Sequence, residues 1–191
     1  MESAPVPAER GGRGRPIDLA NGPLGWFLLF ALAAAVFGLD QLTKKLVVQN
    51  LAPMGPGYHL PIIGDWLRLG YATNTGAAFG LFADRTVLLT ILAIVALPLL
   101  VLGQSYLPVG GWVARVCAGL LLGGTLGNLT DRLRLGYVVD FVEAGVGNLR
   151  WPSFNVADSA FVIGILLMLL YVFLRPAPPR DTRHDQGGTA G

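Results

Sequence analysis

The acids Asp131, Asp140 and Asp158 and the amides Asn74, Asn128 and Asn155 are the side chains through which this sequence could do chemistry. Asn128 with Asp131, and Asn155 with Asp158, repeat an N-x-x-D pattern, a spacing that sets both members of a pair at adjacent positions on one helix face. Asp140 sits within Tyr137-Val138-Val139-Asp140-Phe141-Val142, an apolar segment without a local cation, where an acid that merely faces water would be out of place. Two carboxyls held within a few ångströms in a poorly solvated site cannot both ionise easily, so one keeps a proton while the other stays charged. Such a pair is an acid and a base. The ionised member can take a proton from water as it attacks an amide carbonyl, and the protonated member can donate to the carbonyl oxygen and then to the leaving nitrogen. Asn128 and Asn155 could position the acids or stabilise the developing oxyanion. The pair titrates as a unit, so neither residue is assigned the proton. This chemistry requires no cofactor, and one cysteine (Cys117) with two histidines (His59 and His184) argues against a His/Cys metal cage.

Each residue also has a plainer role open to it. Asp131 with Arg132 could be an ion pair at a helix end, and Asp158 could be a first-turn acid favoured by the helix dipole. Asp40 with Lys44 is an i, i+4 pair, read as a structural staple, and Cys117 is read as a small packing residue.

The elements that must carry these residues follow from composition. The chain has 191 residues, 53% hydrophobic and 14% charged, against about a quarter charged in soluble domains. It reads as an all-α integral membrane protein, which excludes a large soluble catalytic domain. A net charge of +2 without a long basic block leaves no footprint for nucleic acid. Apolar stretches at about 24–48, 86–103, 112–130 and 154–174 predict a bundle of four transmembrane helices, the second introduced by Asp84 as N-cap and open to a kink at Pro98. Residues 1–23 and 175–191, rich in Pro, Gly and Arg, read as disordered tails that flank a membrane domain at 24–174. A cleaved signal peptide is the competing reading of the first apolar run, with Arg10, Arg13 and Arg15 before it and Ala33 to Ala35 within it; the run continues past those alanines without a polar break. Between the first two spans, Tyr58 to Ile63 and Trp66 to Thr73, separated by Gly64-Asp65, predict a small hairpin. Gly123 and Gly127, four apart, would let another helix approach closely. Four spans put both tails on one side and bring Asp40, Asn74, Asn128, Asp131, Asp140, Asn155 and Asp158 to one membrane face, where acids at the edge of hydrocarbon are functional candidates. The Lys and Arg count does not decide orientation; cytoplasmic tails are the expectation because their charges sit in unstructured flanks.

In order along the chain, Asp40-Gln41-Leu42-Thr43-Lys44, Asn74-Thr75-Gly76-Ala77-Ala78-Phe79, Gly124-Thr125-Leu126-Gly127-Asn128-Leu129-Thr130-Asp131-Arg132, Val138-Val139-Asp140-Phe141 and Phe154-Asn155-Val156-Ala157-Asp158-Ser159 resemble the motifs of lipoprotein signal peptidase, also called signal peptidase II. The resemblance covers about 24–174. It implies a four-span aspartyl peptidase of the bacterial inner membrane, with a small extracytoplasmic β-structure, that removes the signal peptide of a prolipoprotein by cutting before its diacylglyceryl-modified cysteine. It implies that Asp140 and Asp158 are the catalytic pair and that Asn74, Asn128, Asp131, Arg132 and Asn155 support the site or hold substrate, with Asp40 and Lys44 structural beside it. Substrate and membrane lipid are then the expected partners, with no metal, cofactor or obligate protein partner. The Gly-rich stretch from Glu143 to Asn148 departs from the family pattern, and Glu143 reads as solvated. A hairpin with Trp66 and Tyr71 could cover the site from water.

Other classes compete. A small transporter or channel would use Asp131, Asp140 and Asp158 for protons or a cation, although no inverted repeat is evident. A Ser/Lys peptidase would pair Ser153 or Ser159 with Lys44. A structural adaptor leaves two embedded N-x-x-D patterns unexplained.

Overall fold

The computed structural model describes residues 20, 22–76, 84–103 and 111–174. The predicted tails lie outside these residues except for 20, 22 and 23, as does the connection at 104–110. The elements run α1 (Pro23–Asn50), a 3-10 turn (Ala52–Met54), β1 (His59–Ile63), β2 (Leu67–Asn74), α2 (Thr86–Leu102), α3 (Gly111–Leu135), β3 (Val138–Val146), β4 (Leu149–Arg150) and α4 (Val156–Leu174). Three helical stretches, Pro23–Met54, Gly111–Leu135 and Val156–Leu174, are long and apolar enough to cross a membrane, and α2 is a shorter apolar helix of 17 residues.

The helices invert the pattern of a water-soluble bundle. Large apolar side chains point outward, among them Val87, Leu99 and Leu102 on α2 and Phe173 on α4, as suits helices whose outer surface meets lipid rather than water. The interior helix is α3, which packs against α1, α2 and α4. Small residues make this possible where no hydrophobic drive separates helix from lipid. A Cβ at Gly123 would lie 2.7 Å from the carbonyl oxygen of Ala33 on α1, and one at Gly124 would lie 2.5 Å from that of Ala157 on α4. Adjacent glycines therefore admit a neighbour on each flank. Leu29 and Ala33 of α1 close against Ala118 and Leu122 of α3, and Cys117 is fully buried in the same helix, a packing residue as expected.

Two helix boundaries depart from expectation. The third helix runs on to Leu135, past the predicted end at 130, because Asp131 and Arg132 are paired inside the protein and do not break it. The stop is Gly136, whose left-handed φ of +81° and N–H bond to the Arg132 carbonyl end the helix. Asp84 does not cap α2. The cap position belongs to Arg85, which makes no side-chain cap bond, while the Asp84 carboxylate accepts the Thr75 hydroxyl at 3.1 Å. Pro98 stands inside α2, which continues to Leu102.

The predicted hairpin is β1 and β2, and it belongs to a larger antiparallel sheet in the order β1-β2-β3-β4. The apolar segment around Asp140 is thus a strand. Its register against β2 pairs Ala72 with Asp140 and Asn74 with Val138, and Val139 and Phe141 pack with Val47 at the end of α1. Glu143 is not solvated, contrary to expectation. Its side chain is 13% exposed and lies 3.3 Å from Arg68 Nη2 and 3.1 Å from His59 Nδ1, because β3 lays it across the neighbouring strands.

Candidate active site

Asn155 stands immediately before α4 and organises both candidate acids. Its Oδ1 accepts the Asp158 N–H at 2.9 Å, and its own N–H donates to Asp158 Oδ2 at 3.2 Å. This reciprocal arrangement is a capping box, which satisfies two amides at a helix start. The second N-x-x-D pattern is therefore a helix cap as well as a site element. The Asn155 side-chain amide reaches further and donates to Asp140 Oδ1 at 2.7 Å. One residue thus ties the strand that carries Asp140 to the helix that carries Asp158.

The remaining carboxylate oxygens have donors too. Asn74, placed beside β3 by the sheet register, donates to Asp140 Oδ2 at 2.9 Å and accepts the Gly76 N–H on its own oxygen. Asn128 donates to Asp158 Oδ1 at 2.7 Å. Asp140 is 2% exposed. Burial, and after it the negative charge of Asp158, push its carboxyl up to about 7, against the opposing pull of the Asn74 and Asn155 amides and of Lys44. A carboxyl that hovers near neutrality beside a second acid is what general acid–base exchange requires.

Beneath this pair lies a buried polar layer. Lys44 bridges Asp40 and Asp131 at 2.9 Å each, so the expected i, i+4 staple is present and is extended to α3. Asp131 pairs with Lys44 rather than with Arg132, and it accepts the backbone N–H of Val139. Arg132 donates instead to the Gly76 carbonyl at 3.1 Å. Asp40 accepts the Ala157 N–H in the first turn of α4. Gln41 had no assigned role, yet its amide bridges Asp40, Asp131 and the Gly127 carbonyl. A glutamine beside an aspartate in an otherwise apolar span was the available signal. The Ser/Lys alternative does not fit this layer: the three ammonium protons of Lys44 go to Asp40, Asp131 and Asn128, and the Ser159 hydroxyl donates to the Asn155 carbonyl at 2.9 Å.

Beside Asp158 opens a groove of about 700 Å³. Leu92, Ala93 and Ala96 of α2 and Phe161, Val162 and Ile165 of α4 form its apolar walls, and Asn74, Asn128, Arg132 and Asp158 form its polar end. An apolar cleft with a few convergent polar groups is the usual form of a binding site. Trp66 lies at the opposite end of β2 from Asn74 and does not line the groove, whereas Trp151 does. Tyr71 is occupied against Tyr137, and that contact, with burial second, pushes its hydroxyl up to about 12.

Residues 32–174 match the family model described as signal peptidase II. A lipoprotein signal peptidase of Moorella thermoacetica is 41% identical over 151 residues, covering 79% of this chain and 94% of the relative. Those of Halothermothrix orenii and Xanthomonas campestris are 38% and 39% identical, with 76% of this chain covered in each case and 95% and 86% of the relative. A bacterial membrane enzyme solved by the in meso method at 2.3 Å resolution superimposes with a TM-score of 0.66 at 27% identity, over 85% of this chain and 94% of the other. The chain belongs to the signal peptidase II family of bacterial membrane peptidases.

Proposed function

We propose that this protein is an aspartyl endopeptidase that removes the signal peptide from diacylglyceryl-modified prolipoproteins by cutting before the lipidated cysteine, with Asp140 and Asp158 as its catalytic pair. One observation carries the assignment: Asn155 bonds both carboxyls, and one of them, Asp158, stands at the polar end of an apolar groove. The relatives are named for lipoprotein signal peptides, and the groove suits an apolar segment presented from the membrane.

The pair shares one proton near neutral pH. The ionised carboxyl takes a proton from water as the water oxygen adds to the scissile carbonyl carbon, and the protonated carboxyl donates to the carbonyl oxygen. Collapse of this tetrahedral species breaks the carbon–nitrogen bond with a proton passed to the departing nitrogen. A carboxylate on the signal peptide and a free amine on the lipidated cysteine result. Asn74, Asn128 and Asn155 hold the acids, Asp131 holds the strand beside Asp140, and Arg132 with the polar groove residues meets the substrate backbone.

The fold proposed for the membrane is four spans over 24–174, with both termini cytoplasmic and the site at the extracytoplasmic face. The 17 residues of α2 give roughly 26 Å at 1.5 Å per residue, enough for a thin or locally compressed bilayer. The test uses purified protein in detergent or lipid with a diacylglyceryl prolipoprotein. Signal peptide is released by the wild type, and Asp140→Asn or Asp158→Asn abolishes release while the protein still folds. Cleavage retained in both variants would sink the pair.

A further inference from the structure

The polar layer under the two aspartates has one feature that a helix staple does not need. Lys44 is 3% exposed, and its three ammonium protons meet three acceptors, Asp40 Oδ2, Asp131 Oδ2 and Asn128 Oδ1, each at 2.9 Å. Each acceptor makes one further bond, to a catalytic aspartate or to the residue directly before one. Asp40 Oδ1 accepts the N–H of Ala157, the residue before Asp158, at 2.9 Å. Asp131 Oδ2 accepts the N–H of Val139, the residue before Asp140, at 3.1 Å. Asn128, with its oxygen turned to Lys44 and to the Asn155 amide, has its own NH₂ turned to Asp158 Oδ1 at 2.7 Å.

We propose that Lys44 is a positioning residue of the peptidase: one buried ammonium, on a helix that carries neither catalytic acid, sets the backbone directly upstream of both and the amide that grips Asp158. The inference rests on the assignment of Asp140 and Asp158 as the pair. A staple between α1 and α3 would need only the bond to Asp131. The other two acceptors, Asp40 and Asn128, in turn bond the Ala157 N–H of α4 and the Asp158 carboxyl, so loss of Lys44 frees the relative placement of the acids rather than a single contact. An amide without its defining donor can also turn over, which would present the Asn128 oxygen to a carboxylate. The cation has an electrostatic part as well. Charged groups facing Asp140 are Asp158 on α4, Lys44 on α1 and Arg132 on α3, and Lys44 favours the ionised form of Asp140.

The experiment measures kcat, KM and the pH profile of signal peptide release for the wild type, Lys44→Met, the charge-balanced double variant Lys44→Met/Asp131→Asn, and a core control, Leu29→Val. Thermal unfolding is measured alongside, and assays are run where each protein is folded. Positioning predicts a kcat loss of roughly a hundredfold, the scale of a small misplacement of reacting groups, with KM unchanged and the acid limb displaced to higher pH. The Leu29→Val control loses stability without moving the acid limb. A kcat and acid limb like the wild type's in a folded Lys44 variant would overturn the proposal, as would failure of both Lys44 variants to fold, since Lys44 would then be a staple and no more. Failure of the pair assignment is a different result: Asp140→Asn, run in parallel, would then cleave.

Discussion

Asp140→Asn is expected to make the protein inactive and, relative to the wild type, increasingly stable as pH rises, with a net gain at neutral pH and above. The carboxyl stands at about 7 in the folded protein against an ordinary value of 3.8. Folding therefore favours its neutral form, and stability is lost as pH rises from the unfolded value through the folded one. At 1.36 kcal/mol per pH unit, the full cost above neutrality is about 4 kcal/mol, of which about 3 kcal/mol accrues between pH 5 and pH 8. Asparagine removes that cost because it does not ionise. It introduces another, since Asn74 and Asn155 both donate to Asp140 and an amide at 140 offers one oxygen where the carboxylate offers two. The orphaned donor costs about 1–3 kcal/mol, but that cost is the same at every pH and cancels when two pH values are compared. The assay is thermal unfolding in detergent followed by intrinsic tryptophan fluorescence, with variant and wild type scanned at the same rate from pH 5 to pH 8. The variant's stability relative to the wild type should rise by about 3 kcal/mol over that range, or several degrees in midpoint for a chain of this size. A difference in midpoint that does not change with pH would refute the reasoning, because Asp140 would then titrate alike in the folded and unfolded chain.

Other residues give sharper contrasts between readings. Ser159→Ala should release signal peptide at near the wild-type rate, because the hydroxyl is bonded to the Asn155 carbonyl; abolished release would restore the Ser/Lys alternative. Gly123→Leu should lower the unfolding midpoint, since its Cβ would meet Ala33 and Val36 at 2.7 Å and overpacking typically costs about 1–3 kcal/mol or more; an unchanged midpoint would contradict the close approach of α1 and α3. Glu143→Gln removes the charge that pairs with Arg68 and His59 across the sheet, outside the groove, and leaving those part-buried partners short of an acceptor should cost about 1–3 kcal/mol in thermal unfolding. Peptide release should continue where the variant is folded, and a large loss of release would give Glu143 a part in the site.

What could be read from the sequence was whatever depends on one segment at a time. Apolar runs marked the helices to within a few residues, except where a partner decided the boundary: α3 outlasts its apolar stretch because Lys44 and Val139 satisfy Asp131 from other elements. The acids were legible because a carboxyl in an apolar segment is costly and invites a reason, and an expected alternation of spans was enough to group them. Hidden from the sequence was everything set by register. That Asp140 lies on a strand, that Asn74 faces it, and that Glu143 is paired across the sheet all follow from the pairing of β2 with β3, and pairing between segments more than sixty residues apart leaves no local mark. The second N-x-x-D shows the same limit from the other side. Its spacing on a helix face was correct for Asn128 and Asp131, but Asn155 sits one residue outside its helix, where the same i, i+3 spacing makes a cap. A local pattern fixed which side chains could meet, and the helix boundary determined what they do when they meet.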